Sequence, residues 1–236
     1  MLHRAIALAL LLTSLGSSRH AHAVEDLGLT MRIVTTSLRS AASYARTGNL
    51  ALAQIELNDA RRAWSGSLGR FAEQPAPYPA SAFRDLLSAG NERLAQANDA
   101  LGANDGPRAA SEILALRQKL RELRHEAGLY ELNDCVFDLA APMEQLRAAA
   151  LRFGEHKAAA EEVNSAGGSL RSHLQRCNSV ASPDIASEAE FRRLIDGAMA
   201  SAGEIGGAAM AGDAGLVHRY QIELQSFVSL LDFRFG

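Results

Sequence analysis

The fold class of this chain is decided by residues 27 to 45, LGLTMRIVTTSLRSAASYA. Apolar residues in this segment recur at alternating spacings of four and three, which places them in one stripe along a helix. The stripe consists of Leu27, Met31, Val34, Leu38, Ala41 and Ala45. Gly48 and Asn49 follow the segment and are typical of a helix end. The segment therefore predicts an amphipathic helix with one buried face.

The same helical periodicity recurs in seven later segments, and strand-like alternation is absent from the sequence. These segments are residues 50–71, 83–101, 113–127, 132–153, 163–177, 191–205 and 217–235. Pro142 lies inside the segment 132–153 and predicts either a kink or the start of a new helix. Near-heptad spacing is what helices crossing at shallow angles require. The sequence thus predicts an all-α protein of two tandem up-down four-helix bundles, residues 24–131 and residues 132–236.

The two predicted bundles align with each other when the sequence is shifted by 108 residues. Matching pairs are Leu38 with Leu146, Phe83 with Phe191, Asp105 with Asp213, Leu123 with Leu231, and Gly128 with Gly236. The order of the predicted helices is also the same in both halves. Self-similarity at a fixed period is the mark of an internal repeat, so we expect the bundles to be copies of one unit.

The N-terminal segment, residues 1–23, has the pattern of a secretory signal peptide. Arg4 precedes an apolar run over residues 5–12, and the segment ends Ala21-His22-Ala23, a small-x-small cleavage site. The apolar run is shorter than the ~20 residues that a bilayer requires, and no later stretch reaches that length. We therefore expect a mature protein that begins at Val24, has no membrane span, and is periplasmic or secreted.

Composition and motifs exclude several function classes. The chain has 24 basic and 27 acidic residues, a formal net charge of -3. Nucleic-acid binders usually carry a basic excess, so this class is not expected. Motifs for a serine nucleophile, a zinc protease or another metal site are also missing from the sequence. The chain is therefore expected to be a binding or structural protein rather than an enzyme.

The two cysteines, Cys135 and Cys177, are expected to form a disulfide. Their midpoint is residue 156, inside the turn predicted between the fifth and sixth helices, so they would lie side by side in an antiparallel pair. A disulfide closing a loop of this length contributes roughly 4 kcal/mol in the chain-entropy model. The alternative is a pair of metal-binding or reactive thiols, although the sequence has no Cys-x-x-Cys.

Met31 lies early in the first predicted helix, and the Arg-x-x-x-His sequence Arg121-Glu122-Leu123-Arg124-His125 lies at the end of the fourth. An exported bundle of this size with these residues resembles the soluble periplasmic cytochrome b family over residues 24 to about 130. In that family the methionine and the histidine bind the iron of a non-covalent haem b. The c-type cytochromes built on the same bundle are similar in architecture, but this chain lacks their Cys-x-x-Cys-His attachment motif.

Helical geometry separates the two residues that the resemblance singles out. Met31 lies on the apolar stripe of its helix. At 100° per residue, His125 points almost opposite to the stripe of Leu116, Leu120 and Leu123. The leading hypothesis is accordingly a cytochrome-like protein without haem that binds a periplasmic protein or a small ligand. The alternative is a b-type haem electron-transfer protein with Met31 and His125 as iron ligands.

The predicted last helix is apolar on most of its circumference. Ile222, Val228, Leu230 and Phe233 extend its stripe. A helix that is apolar all round is buried on more than one side. We expect either burial between the two bundles or a homodimer formed through residues 216–236. Small residues such as Gly197 on the preceding helix would leave room for its large side chains.

Overall fold

The structure, a computed structural model, describes residues 26–236, so the predicted signal peptide lies outside the described residues. The described residues divide into two compact units, 26–129 and Tyr130–Gly236. Within residues 26–236 the regular structure is helical and there is no strand, which confirms the all-α prediction. The up-down order of the helices within each unit stays a prediction.

Four helices form the described part of the first unit. They are α1 (26–46), α2 (Leu50–Arg62), α3 (Ala80–Gly102) and α4 (Gly106–Glu126). Asn49 caps α2 by accepting a hydrogen bond from the Leu52 amide at 3.3 Å, and Asp105 caps α4 in the same way from the Arg108 amide at 3.0 Å. These caps satisfy amides that have no partner within the helix. The turns before α2 and α4 comprise residues 47–49 and 103–105.

The second predicted helix of the first unit is not uniform. The sequence pattern predicts one stripe through Phe71, but the α-helical part ends at Arg62. A π-helical turn, Ala63–Ser67, and a 3-10 turn, Leu68–Phe71, follow it. A change of hydrogen-bond register leaves the apolar spacing nearly unaltered, so periodicity alone does not reveal it.

The second unit is helical in each of the four predicted segments, with two additional divisions. Its helices are α5 (Leu132–Phe137), α6 (Ala140–Gly154), α7 (Ala160–Val180), α8 (Pro183–Ser187), α9 (Ala189–Met210) and α10 (Ala214–Phe235). Pro142 is predicted to mark either a kink or the start of a new helix, and the structure shows that a new helix, α6, begins at Ala140. Pro142 lies in the first turn of α6, where its missing N–H breaks no bond within the helix. Periodicity did not predict the short helix α8.

The predicted disulfide joins α5 to α7. Cys135 and Cys177 are bonded with their Cα atoms 5.4 Å apart, inside the range that disulfides require. Both side chains are buried in the core of the second unit. Because α5 has only six residues, this covalent link holds an element too short to be stable alone.

Each unit has its own apolar core. Phe83, Leu38 and Leu120 are fully buried in the first unit, and Phe191, Leu146 and Leu224 are fully buried in the second. Gly197 of α9 lies against Phe227 of α10, and a Cβ added to the glycine would come within 2.6 Å of the ring. Small residues on α9 therefore do admit a large side chain from α10.

Backbone conformation repeats at the same 108-residue shift as the sequence. Gly48 and His156 have φ values of 81° and 57°, and Asn104 and Gly212 have φ values of 58° and 75°. Non-glycine residues rarely adopt this left-handed conformation. Asp213 also caps α10 from the Leu216 amide at 2.9 Å, as Asp105 caps α4. These shared turn geometries support the proposed duplication independently of side-chain identity.

Candidate functional site

The two residues that the cytochrome resemblance singled out lie in different environments. Met31 is 3% exposed and belongs to the apolar core of the first unit. His125 is exposed, in the last turn of α4. A haem iron between them would need both side chains to face one cavity, so this pair does not fit an axially ligated haem. Positive charge on His125 would instead interact favourably with the C-terminal end of the helix dipole.

Metal ligands are not gathered elsewhere in the described part of the chain. Among residues 26–236 there is no group of three or more histidine, cysteine or carboxylate side chains placed to hold a metal ion. The only two cysteines of the sequence are consumed by the disulfide.

The π-helical turn places Trp64, the only tryptophan of the sequence, against α3. Its side chain is 1% exposed, and its indole N–H donates to the Leu87 carbonyl oxygen over 3.4 Å. The ring lies directly over Gly90, where an added Cβ would come within 1.9 Å of the ring atom Cζ2. Glycine is thus required at this position by the close approach of the indole.

A groove of about 400 Å³ runs beside this tryptophan. We call it the Trp64 groove. It is lined by Asn58, Arg61, Arg62, Trp64, Ser65, Asn91, Leu94 and Ala95. One side of the groove is formed by the end of α2 and the π-helical turn, and the other by the middle of α3. The groove therefore combines an apolar floor with amide and guanidinium groups.

Two polar residues that line the groove, Asn58 and Arg61, are connected through the side chains of Gln54 and Asn98, which lie outside its lining. Arg61 Nη1 donates to Asn98 Oδ1 at 3.1 Å, and Gln54 Nε2 donates to the same oxygen at 3.1 Å. Gln54 Nε2 also donates to Asn58 Oδ1 at 3.2 Å. We call these four residues the amide relay. It links α2 to α3 and holds Arg61 in place.

Charges around the groove are unequally compensated. Arg62 forms an ion pair with Asp59, whereas the partner that holds Arg61 is a neutral amide. Glu56, on the same helix, is partly withdrawn from water, and this burial, together with the nearby charge of Asp59, raises the pKa of its carboxyl group. The positive charge of Arg61 is therefore the one left available at the groove.

Trp64 lies in the predicted helical segment 50–71, and its position there predicts a core residue but not the groove beside it. The available signal was the spacing of polar residues on the core-flanking face of α2, where Gln54, Asn58 and Arg61 follow each other at intervals of four and three. Asn91 and Asn98 have the matching interval of seven on the next helix. Such a pattern is also typical of a solvated face, so only the hydrogen bonds between the helices distinguish the two interpretations.

Comparison with known proteins gave no match among family models, curated proteins or solved structures.

Proposed function

We propose that the chain is an exported, non-enzymatic binding protein whose first unit takes a small ligand in the Trp64 groove. The observation that carries the proposal is the π-helical turn Ala63–Ser67 at the groove. In the second unit, the helix that corresponds at the 108-residue shift is α7, which is α-helical throughout Ala160–Val180. A π-helical turn is poorer in hydrogen-bond geometry than an α-helix and is found frequently at functional sites. The π-helical turn is present in the first unit and absent from the corresponding part of α7, so it distinguishes the groove from the matching region of the second unit.

The chemistry of the lining residues favours binding over catalysis. The hydroxyl of Ser65 donates to the Arg61 carbonyl oxygen at 2.9 Å and is not paired with a general base. The remaining polar groups of the groove are amides and guanidinium groups, which bind and orient but do not exchange protons near neutral pH. Nucleophilic catalysis requires a nucleophile and a base within hydrogen-bond reach of each other.

Export is supported by the disulfide and by the predicted signal peptide. Disulfides persist in oxidising compartments, and the second unit contains one. Among residues 26–236, none of the helices is both long enough and apolar enough to cross a membrane. N-terminal sequencing of the protein purified from an expressing bacterium should begin at Val24. Recovery of the intact N-terminus from the cytoplasm would contradict export.

The binding proposal is tested with Trp64 as an intrinsic probe. A panel of neutral, cationic and anionic small metabolites is screened by tryptophan emission and thermal shift on the mature chain. We expect a subset to change both signals, and Ala95→Phe, which fills the groove, to abolish the response. Ala200→Phe is the matched control, because Ala200 is also exposed in the middle of a helix but lies in the second unit. A response that survives Ala95→Phe would place the site elsewhere.

An absorption spectrum separates this proposal from the haem alternative. The protein is purified from haem-replete cells, and the spectrum is recorded before and after reduction. We expect no Soret band, and none after titration with haemin. A Soret band lost in either Met31→Ala or His125→Ala would identify an electron carrier or haem-binding protein and would contradict the binding proposal.

A further inference from the structure

We infer that the Trp64 groove selects a small carboxylate, whose negative charge is bound by Arg61. The inference rests on the proposed function, because it names the ligand class of the same groove. Three features carry it: the hydrogen-bond polarity of the amide relay, the uncompensated charge of Arg61, and the apolar floor beside that charge.

The polarity of the relay is set by Arg61. A guanidinium group has only donors, so the atom of Asn98 that faces it at 3.1 Å must be the amide oxygen. Gln54 approaches that same oxygen at 3.1 Å and must therefore present its NH₂ group. The NH₂ group of Gln54 in turn faces the oxygen of Asn58 at 3.2 Å. Arg61, whose side chain has no hydrogen-bond acceptor, thus fixes the orientation of the three side-chain amides.

This orientation leaves donors at the groove. The oxygens of Asn98 and Asn58 already accept hydrogen bonds within the relay. Asn58, which lines the groove, therefore has its NH₂ group left for a ligand, and Arg61 uses one of its five N–H groups on Asn98. A ligand that matches these groups must accept hydrogen bonds, as an oxyanion does.

The charge of Arg61 also favours an anionic ligand. Among the described residues, no carboxylate forms an ion pair with it, whereas the adjacent Arg62 is paired with Asp59. Arginine binds carboxylates through two parallel hydrogen bonds, and such charge-assisted bonds are roughly twice as strong as neutral ones. One uncompensated arginine matches one negative charge.

The apolar part of the groove favours a carboxylate over inorganic phosphate. Leu94 and Ala95 line it beside the indole of Trp64, and its volume of about 400 Å³ is that of a small-molecule site. An anion with a short hydrocarbon chain would pair its charge with Arg61 and remove its chain from water against these residues. Phosphate offers no such chain.

The test compares hexanoate with hexanamide, its neutral isostere, and with inorganic phosphate, all at one ionic strength. Binding to the mature chain is followed by Trp64 emission. We expect hexanoate to bind at least tenfold more tightly than hexanamide, and phosphate not to compete. Arg61→Gln should abolish the tenfold preference, and Arg61→Lys should retain part of it, since lysine keeps the charge without the planar fork. Arg176→Gln, at an exposed arginine of α7, is the control and should change nothing.

Several outcomes would overturn the inference, and they also show whether the proposed function survives. If hexanoate and hexanamide bind equally tightly and Ala95→Phe abolishes the binding of both, selection by charge is refuted, but the groove is still a binding site. Competition by phosphate at equal affinity would refute a carboxylate site in favour of a general oxyanion site. Unchanged preference in Arg61→Gln would refute the role of Arg61. Failure of all three probes would refute the carboxylate site, and only a panel without any hit would refute the binding groove as well.

Discussion

Gly90→Ala gives the sharpest test of the packing that builds the Trp64 groove. The added Cβ would come within 1.9 Å of Cζ2, 2.5 Å of Cε2 and 2.6 Å of Cη2 of Trp64. Ordinary van der Waals contact begins near 3.4 Å, so the indole ring or α3 would have to move by about 1.5 Å. The nearest atoms belong to a rigid ring that is 1% exposed, and a buried ring has little room to retreat.

Two opposing effects determine the size of the change. Overpacking a close-packed core typically costs about 1–3 kcal/mol, and a clash with several ring atoms belongs at the upper end. Alanine is favoured over glycine inside a helix by about 1 kcal/mol. We therefore expect Gly90→Ala to lower the free energy of unfolding by about 1–2 kcal/mol. For a domain of this size each 1 kcal/mol corresponds to roughly 4–8 °C in Tm.

The assay is urea denaturation followed by far-UV circular dichroism and by Trp64 emission, which assigns the transition to the first unit. Gly168→Ala is the matched control, because Gly168 lies inside α7 with no atom within 4 Å of an added Cβ. It should stabilise by up to about 1 kcal/mol. In a Trp64→Leu background, where circular dichroism is the only signal, Gly90→Ala should lose its penalty. A Gly90→Ala variant that is stabilised as much as Gly168→Ala would refute the argument.

Three further predictions follow from the cores and charges. Replacing both Cys135 and Cys177 by alanine should lower the free energy of unfolding by about 4 kcal/mol, measured by urea denaturation, and an unchanged midpoint would contradict a structural disulfide. Burial raises the pKa of Glu56, so the ionised carboxylate is less favourable in the folded chain than in the unfolded chain. Glu56→Gln should therefore raise Tm at pH 7. This gain in Tm should shrink as the pH falls toward the ordinary pKa of glutamate, and a gain that grows in acid would contradict a raised pKa. Met31→Ala, a core truncation, should lower the free energy of unfolding by about 2–5 kcal/mol, and His125→Ala should lower it by no more than about 0.5 kcal/mol. Equal losses of stability in calorimetry would contradict the buried position of Met31 and the exposed position of His125.

Helix α10 has exposed apolar residues in the segment 216–236, through which a homodimer is predicted. Within the chain, Ile222 is 51% exposed and Leu230 is 39% exposed, although both extend the apolar face of the helix. Sedimentation of the mature chain would show whether a second copy covers them.

The all-α class, the helical segments and the disulfide could be predicted because each depends on local spacing. Apolar residues at intervals of three and four place a stripe on a helix whatever surrounds it, and Leu116 and Leu224 are buried in their units as that spacing requires. The pairing of Cys135 with Cys177 followed from their equal distance to one turn. The exposure of His125 followed from its angle to the stripe of α4.

Tertiary structure alone decided where the chain departs from regular helices and what these departures place together. Periodicity cannot distinguish an α-helical from a π-helical turn over residues 63–67, because one extra residue per turn changes hydrogen-bond partners more than apolar spacing. The contact between Trp64 and Gly90 joins residues 26 positions apart, and the relay from Arg61 to Asn98 spans 37. Such contacts depend on the distance between two helices, which packing sets and local sequence does not.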